Sequence, residues 1–242
     1  MSSSIPAMGA ADWPRRLTPE LLDALPASDP RAVRSRGDLR RINRIMGARS
    51  LLLRGFAAAA PTPTRIVEIG SGDGTLALRI AQVRAPLWPR VCLRLLDREP
   101  SVAAETLAAI RALGWSVEVL AADVHDWLDS AHDHGDIVFA NLFVHHFDGA
   151  GLAHLLAGLA QRCDAFVCCE PRRSLVALAG SHLLGLIGCN AVTRHDAVVS
   201  VEAGFRDREL SAAWRVAQPV GWQLIETSAG AFSHLFVARR AA

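Results

Sequence analysis

The chain is 242 residues long, 51% hydrophobic and 21% charged, with a formal net charge of +2. That composition suits a folded domain with a sizeable core and excludes a disordered chain or one that grips nucleic acid through bulk charge. All 26 basic residues are arginine and tyrosine is absent, which removes lysine Schiff-base, P-loop lysine and phenolic acid–base chemistry.

Residues 1–16 are rich in Ser, Ala and Pro and read as a flexible N-terminus, without the basic and apolar regions of a signal peptide. Thr18-Pro19 and Asp29-Pro30 each set a cap-like residue before a proline and predict two helix starts. The second opens a basic helical stretch to about Ala60, with eight arginines between Arg31 and Arg54 against one acid, Asp38. Residues 17–60 therefore read as a helical extension and residues 61–242 as the main domain. Residues 65–69 form a short buried strand, followed by a glycine-rich turn and a helix over 76–83. A second strand, 91–96, ends at Asp97. A helix over 101–113 is closed by Gly114, and a third strand, 117–121, ends near Asp123. Strand 137–142, helix 151–162 and strand 165–169 complete the alternation, which predicts a parallel sheet covered by helices on both faces. Residues 222–226 and 232–238, split by a Ser-Ala-Gly turn, predict an antiparallel hairpin at one edge. The five cysteines have no regular spacing and no CxxC pair. Reduced thiols in a cytoplasmic protein are expected, with neither a disulfide framework nor a structural zinc site. The apolar stretch 175–189 is interrupted by Ser181 and His182 and is shorter than the roughly 20 residues of a membrane span, so no stable membrane insertion is expected.

Glu68-Ile69-Gly70-Ser71-Gly72-Asp73-Gly74 lies between the first strand and its helix, where a nucleotide-binding glycine loop sits. Glycines there let the backbone turn tightly and meet a ligand with no Cβ in the way. The spacing is G-x-G-x-G, not the dinucleotide G-x-G-x-x-G, and Glu68 and Asp73 would repel a diphosphate but attract an ammonium or sulfonium group. The segment resembles motif I of class I S-adenosylmethionine-dependent methyltransferases, and the resemblance runs from Arg65 to Arg239. It implies a Rossmann-like α/β fold: a mainly parallel seven-stranded sheet, a C-terminal antiparallel hairpin and an N-terminal helical extension over the site. It also implies S-adenosyl-L-methionine as cofactor, held by Glu68, Gly70, Ser71, Gly72, Asp73 and Gly74. Asp97 would meet the ribose, Asp123 and Val124 the adenine, and Asn141 the region of the methyl group, with Arg98 among the cofactor-binding residues. Gly70 and Asp97 lie 27 residues apart, a gap that the segment around Ala85-Pro86-Leu87-Trp88-Pro89 accounts for.

The fourth strand runs out into Asn141-Leu142-Phe143-Val144-His145-His146-Phe147. Adjacent histidines serve as metal ligands, as a general base, or as wall residues with satisfied ring nitrogens. Sequence neighbours rarely converge on one ion without a third ligand at matched spacing, so no metal is expected. A base acting near neutral pH suits histidine, and spacing alone does not choose between His145 and His146. The segment lacks the (D/N/S)PP(Y/F/W) sequence of amino-methylating nucleic-acid enzymes, and no cysteine follows a proline as cytosine C5 enzymes require. After the fifth strand, Arg172 and Arg173 either face a ligand carboxylate or phenolate or close the structure against Glu170 or Asp148. Residues 175–188 either form a greasy pocket wall or lid over the substrate or form a buried helix. Residues 25–43, with 141–147 and 170–173, resemble bacterial methyltransferases associated with type III polyketide synthases. That likeness implies O-methylation of a small aromatic polyketide or phenolic lipid, with no nucleic-acid partner, and leaves a homodimer open. An RNA methyltransferase and a non-catalytic cofactor-binding module are the alternatives.

Overall fold

The structure, a computed structural model, describes residues 13–59, 62–130, 134–218 and 220–241. Five strands run parallel: β1 (Arg65–Ile69), β2 (Cys92–Asp97), β3 (Ser116–Ala121), β4 (Gly135–Asn141) and β5 (Cys163–Pro171). The last two, β6 (Trp222–Ala229) and β7 (Ser233–Arg240), pair antiparallel to each other, and β7 pairs antiparallel to β5. The strand order is β3-β2-β1-β4-β5-β7-β6, the fold of class I methyltransferases. The chain leaves β1 for one half of the sheet and returns at β4 for the other. Ligands of such sheets bind in the crevice that this reversal opens at the carboxyl ends of the strands.

Helices α1 (Pro30–Ile45), α2 (Ala48–Ala59), α3 (Thr75–Arg84) and α4 (Ala104–Ala112) precede β3 in the chain. After it come α5 (Val124–Asp129), α6 (Gly149–Arg162), α7 (Leu175–His182), α8 (Ala191–Ala203) and α9 (Glu209–Ala217). The central strands bury side chains on both faces, which is why they read as near-continuous apolar runs. On one face Ile66, Phe139 and Val167 pack with α2, α3 and α4 through Phe56, Ile80 and Ile110. On the other, Val67, Val138 and Phe166 meet Leu155 and Leu159 of α6 and Trp214 of α9. Gly55 lets α2 settle against β5, since a Cβ there would collide with Val167.

The sequence expectations need several corrections. The Thr18-Pro19 helix does not form. Asp196 accepts hydrogen bonds from the Leu21 and Leu22 amides at 2.8 and 2.9 Å, so these donors are satisfied without a helix and only a 3-10 turn, Leu22–Ala24, appears. The single basic helix breaks at Gly47 (φ 69°) into α1 and α2, and α2 joins the main core. Helix α4 starts three residues later than expected because Ala103 is extended (φ −70°, ψ 148°). Helices α8 and α9 had no expectation at all. Residues 1–12 and 60, within the expected flexible N-terminus and extension, lie outside the described residues.

Candidate active site

The glycine loop leaves β1 with three left-handed residues, Gly70 (φ 69°), Gly72 (φ 54°) and Gly74 (φ 68°), a backbone that β-carbons disfavour. At Gly70 a Cβ would strike Phe143, whereas at Gly72 it would meet open space. That space is a cavity of about 900 Å³ at the ends of β1, β2 and β4. Glu68, Gly70, Ser71, Gly72 and Asp73 line it, as do Asp97, Arg98, Asn141 and His145. Gly74 instead ends the loop as the N-cap position of α3. Asp123 caps α5, accepting from the His125 amide at 2.8 Å, and Val124 is buried in the core. Neither they nor His146 lines the cavity.

The cavity fits the expected cofactor in its polar atoms. Glu68 Oε2, Ser71 Oγ and Asn141 Oδ1 are buried and have no hydrogen-bond partner. Buried polar atoms are rarely left so, and all three side chains line the cavity. Burial pushes the Glu68 carboxyl well above its usual range, and the nearby charges of Asp73 and Asp97 push it further in the same direction. A cation placed beside it would relieve that cost. Asp97 accepts from the Gly72 amide (2.8 Å) and the Glu99 amide (2.9 Å) and has lone pairs left for hydroxyls. Burial works against the Asp73 carboxylate, but hydrogen bonds from Arg40 (2.7 Å) and Thr75 hold it below the usual range.

Helix α1 closes the cavity from above. Asp29 caps its first turn (2.8 Å to the Arg31 amide) with Pro30 at the first position, as its sequence predicts. Buried Asp38 clamps it to α8, accepting from the Asn190 amide (2.8 Å), Thr193 Oγ1 (3.1 Å) and Arg41 (2.6 Å). Asn43 accepts from Asn141 at 3.0 Å. Its arginines are partly spent in this role: Arg31 pairs with Asp29, Arg36 with the Ala27 carbonyl, Arg40 with Asp73 and Arg41 with Asp38.

Beyond β4, Leu142 takes a positive φ of 54°, and the 3-10 turn Val144–His146 follows. Glu170, fully buried at the end of β5, accepts from the amides of Phe143, Val144 and His145 at 3.2, 3.0 and 3.3 Å. Its Oε2 lies 2.8 Å from His145 Nδ1. On the other side, His145 Nε2 lies 3.4 Å from Glu20 Oε1, to which Ser200 also donates. Burial works against the His145 cation, but the bonds to Glu170 and Glu20 outweigh it and raise its pKa to about 9. His146 is pushed the other way, by burial and by the charge of His145. Glu20, His145 and His146 are also close enough to be compatible with a metal ion, yet Glu170 and Glu20 already engage both ring nitrogens of His145.

Glu20 belongs to residues 13–26, a strap that no feature of the local sequence marks as functional. Arg15 fastens it, donating to the carbonyls of Ala203 (2.7 Å), His145 (3.1 Å) and Phe147 (3.0 Å). Glu20 also lines a second, smaller chamber of about 170 Å³, walled by apolar side chains of α1, α7 and α8. The segment 175–188 therefore forms a pocket wall and not a buried helix, since Ala177, Gly180 and Leu184 line the chamber while Leu175 and Leu186 face solvent. Neither Arg172 nor Arg173 reaches the cavity. Arg173 is buried against Glu209, and Arg172 donates to the Gly230 carbonyl at 3.3 Å.

No protein-family model matches the sequence, and no curated protein matches it either. Solved structures do match. The plantazolicin methyltransferase BamL, in complex with a triazolic desmethylPZN analog and SAH, is 14% identical over 88% of this chain and 92% of its own, with a TM-score of 0.63. An O-methyltransferase family protein from Burkholderia thailandensis is 19% identical over 89% of this chain and 61% of its own (TM-score 0.61). The mitomycin 7-O-methyltransferase MmcR is 23% identical over 91% of this chain and 60% of its own (TM-score 0.57). At these identities the likeness is one of fold.

Proposed function

We propose that the protein transfers a methyl group from S-adenosyl-L-methionine to a hydroxyl of a small aromatic polyketide or phenolic lipid. The observation that carries this reading is the place of His145, which lines the acid-and-glycine cavity while its partner Glu20 lines both that cavity and the apolar chamber. Fold likeness to small-molecule methyltransferases, one of them holding SAH, supports it. So does the internal use of the α1 arginines, which leaves less of that helix for RNA.

When bound, the cofactor supplies an electrophilic methyl group. The chain's own residues do the rest. Gly72 admits the ligand backbone-close, Glu68 attracts its cationic groups, and Asp97 accepts from its hydroxyls. Helix α1 and the strap keep water out, and holding donor and acceptor in line contributes roughly 7–11 kcal/mol. His145 receives the acceptor's proton at Nε2, while Glu170 orients the ring through Nδ1 and balances the imidazolium. An acceptor hydroxyl that takes the place of Glu20 at Nε2 removes one support of the raised pKa, so the ring becomes a neutral base where it is needed.

Incubation with the cofactor and a panel of alkylresorcinols and aromatic polyketides, followed by mass spectrometry, tests the reading. A product heavier by one methylene, formed by the wild type and not by His145→Gln, is expected. Turnover undiminished in His145→Gln would remove the base, and methylation confined to RNA would replace the acceptor class.

A further inference from the structure

One face of the molecule joins exposed apolar side chains to a rim without acids. Leu183 and Leu186, in the 3-10 turn Leu183–Ile187, are 57% and 83% exposed, and Leu175 and Val176 at the start of α7 are exposed beside them in the chain. Ile45 and Ile187 are exposed as well, yet both also line the apolar chamber, so the face runs into the chamber's mouth. Residues 172–195 contain no Asp or Glu, and of their three arginines Arg194 is exposed, whereas Arg173 is buried against Glu209 and Arg172 donates to the Gly230 carbonyl. Arg194 lies against the turn, where a Cβ on Gly185 would come within 3.2 Å of its Nη1. Asp38, the one acid of α1, is buried and already taken by Arg41, Asn190 and Thr193.

We propose that this face docks on an anionic lipid surface, and that the apolar acceptor enters the chamber from that surface. Exposed apolar side chains beside the exposed Arg194, in a segment that carries no acid, match the acyl boundary and headgroups of an anionic bilayer. Two copies of the chain fit the face less well. A two-fold interface sets one patch against itself, and residues 172–195 offer no acid to answer the partner copy's Arg194. Helix α7 and the turn are far too short to span a bilayer, and among the described residues no helix is long and apolar enough to do so. Docking here means lying on the surface. The docking stands on the face alone, whereas acceptor entry rests on the proposed function.

Sedimentation of the full chain with vesicles of phosphatidylcholine, alone or mixed with phosphatidylglycerol, separates the outcomes without cofactor or acceptor. The wild type is expected to sediment with the mixed vesicles only, and less so in high salt. Leu183 and Leu186 line neither cavity, so Leu183→Asp/Leu186→Asp should unfold at the wild-type temperature and lose at least about tenfold in vesicle affinity. Arg194→Ala should lose about fivefold. A wild type that stays in the supernatant, or a double variant that binds as well, would overturn the proposal. So would a wild-type dimer in gel filtration that Leu183→Asp/Leu186→Asp splits, which would name a second copy as the occupant. A failed acceptor screen, by contrast, leaves vesicle binding untouched.

Discussion

His145 is held by two carboxylates, one 125 residues before it and one 25 residues after it in the chain, and its chemistry follows from that geometry. His145→Gln keeps a hydrogen bond to Glu170 but cannot take a proton. It should lower kcat by roughly 10²–10⁴-fold with cofactor affinity unchanged, a split that parallel turnover assays and calorimetry would read. The pH dependence has a definite sign. With the folded pKa raised to about 9, kcat/KM should rise with pH and level off near that value. Glu20→Gln removes one of the raising partners and should move the rising limb to lower pH. For stability the direction is opposite. A raised histidine pKa stabilises the fold fully below the ordinary value of 6.5, and that contribution is lost as pH climbs through about 9. Denaturant midpoints measured across that window should fall for the wild type and stay flatter for His145→Gln. A flat wild-type profile would show that His145 is not charged in the free protein.

The strap, residues 13–26, gains its order from tertiary contacts and not from helix formation. Two of its amides rest on Asp196, and Arg15 rests on three carbonyls. Asp196→Ala leaves those amides without partners, at about 1–3 kcal/mol for such a loss. The expected result is a locally opened strap, with trypsin cutting after Arg15 or Arg16 faster than in the wild type while global unfolding shifts only modestly. Equal cleavage rates would mean that Asp196 does not hold the strap. The glycine loop should respond differently. Gly70→Ala combines a left-handed φ with a collision against Phe143 and should cost both stability and cofactor binding. Gly72→Ala faces open space, so it escapes a collision, yet its own left-handed φ still costs some stability beside the loss of cofactor binding.

At the scale of the whole molecule, a sheet that reverses direction between β1 and β4 opens one crevice, and α1 with the strap roofs it. A ligand that binds only this closed form stabilises it by mass action. S-adenosylhomocysteine at a hundredfold excess over Kd should add about 2.7 kcal/mol, a rise in Tm of roughly 5–10 °C for a chain of this size. The free protein disfavours the charged form of Glu68, and a cationic ligand favours it. Binding should therefore release a proton, visible as a heat of binding that changes between buffers of different ionisation enthalpy. No thermal shift at saturating ligand would leave the glycine loop as a turn and the catalytic reading without its cofactor.

The parallel sheet, the glycine loop and the closing hairpin were legible in the residues because each is written in local terms. Buried strands read as apolar runs, glycines stand where φ is positive, and Asp29-Pro30 announces its own helix. Of the residues expected at the site, Glu68, Asp97, Asn141 and His145 line the cavity, each standing at or beside the carboxyl end of a strand, whereas Gly74, Asp123, Val124 and His146 do not. What only the tertiary structure decided are the pairings. Glu20 meets His145 across 125 residues of chain, Glu170 meets it across 25, and Arg173 turns away to Glu209. No local propensity encodes those meetings. The choice of His145 over His146 as the cavity residue, and of a pocket wall over a buried helix for residues 175–188, followed from which elements the sheet brought together.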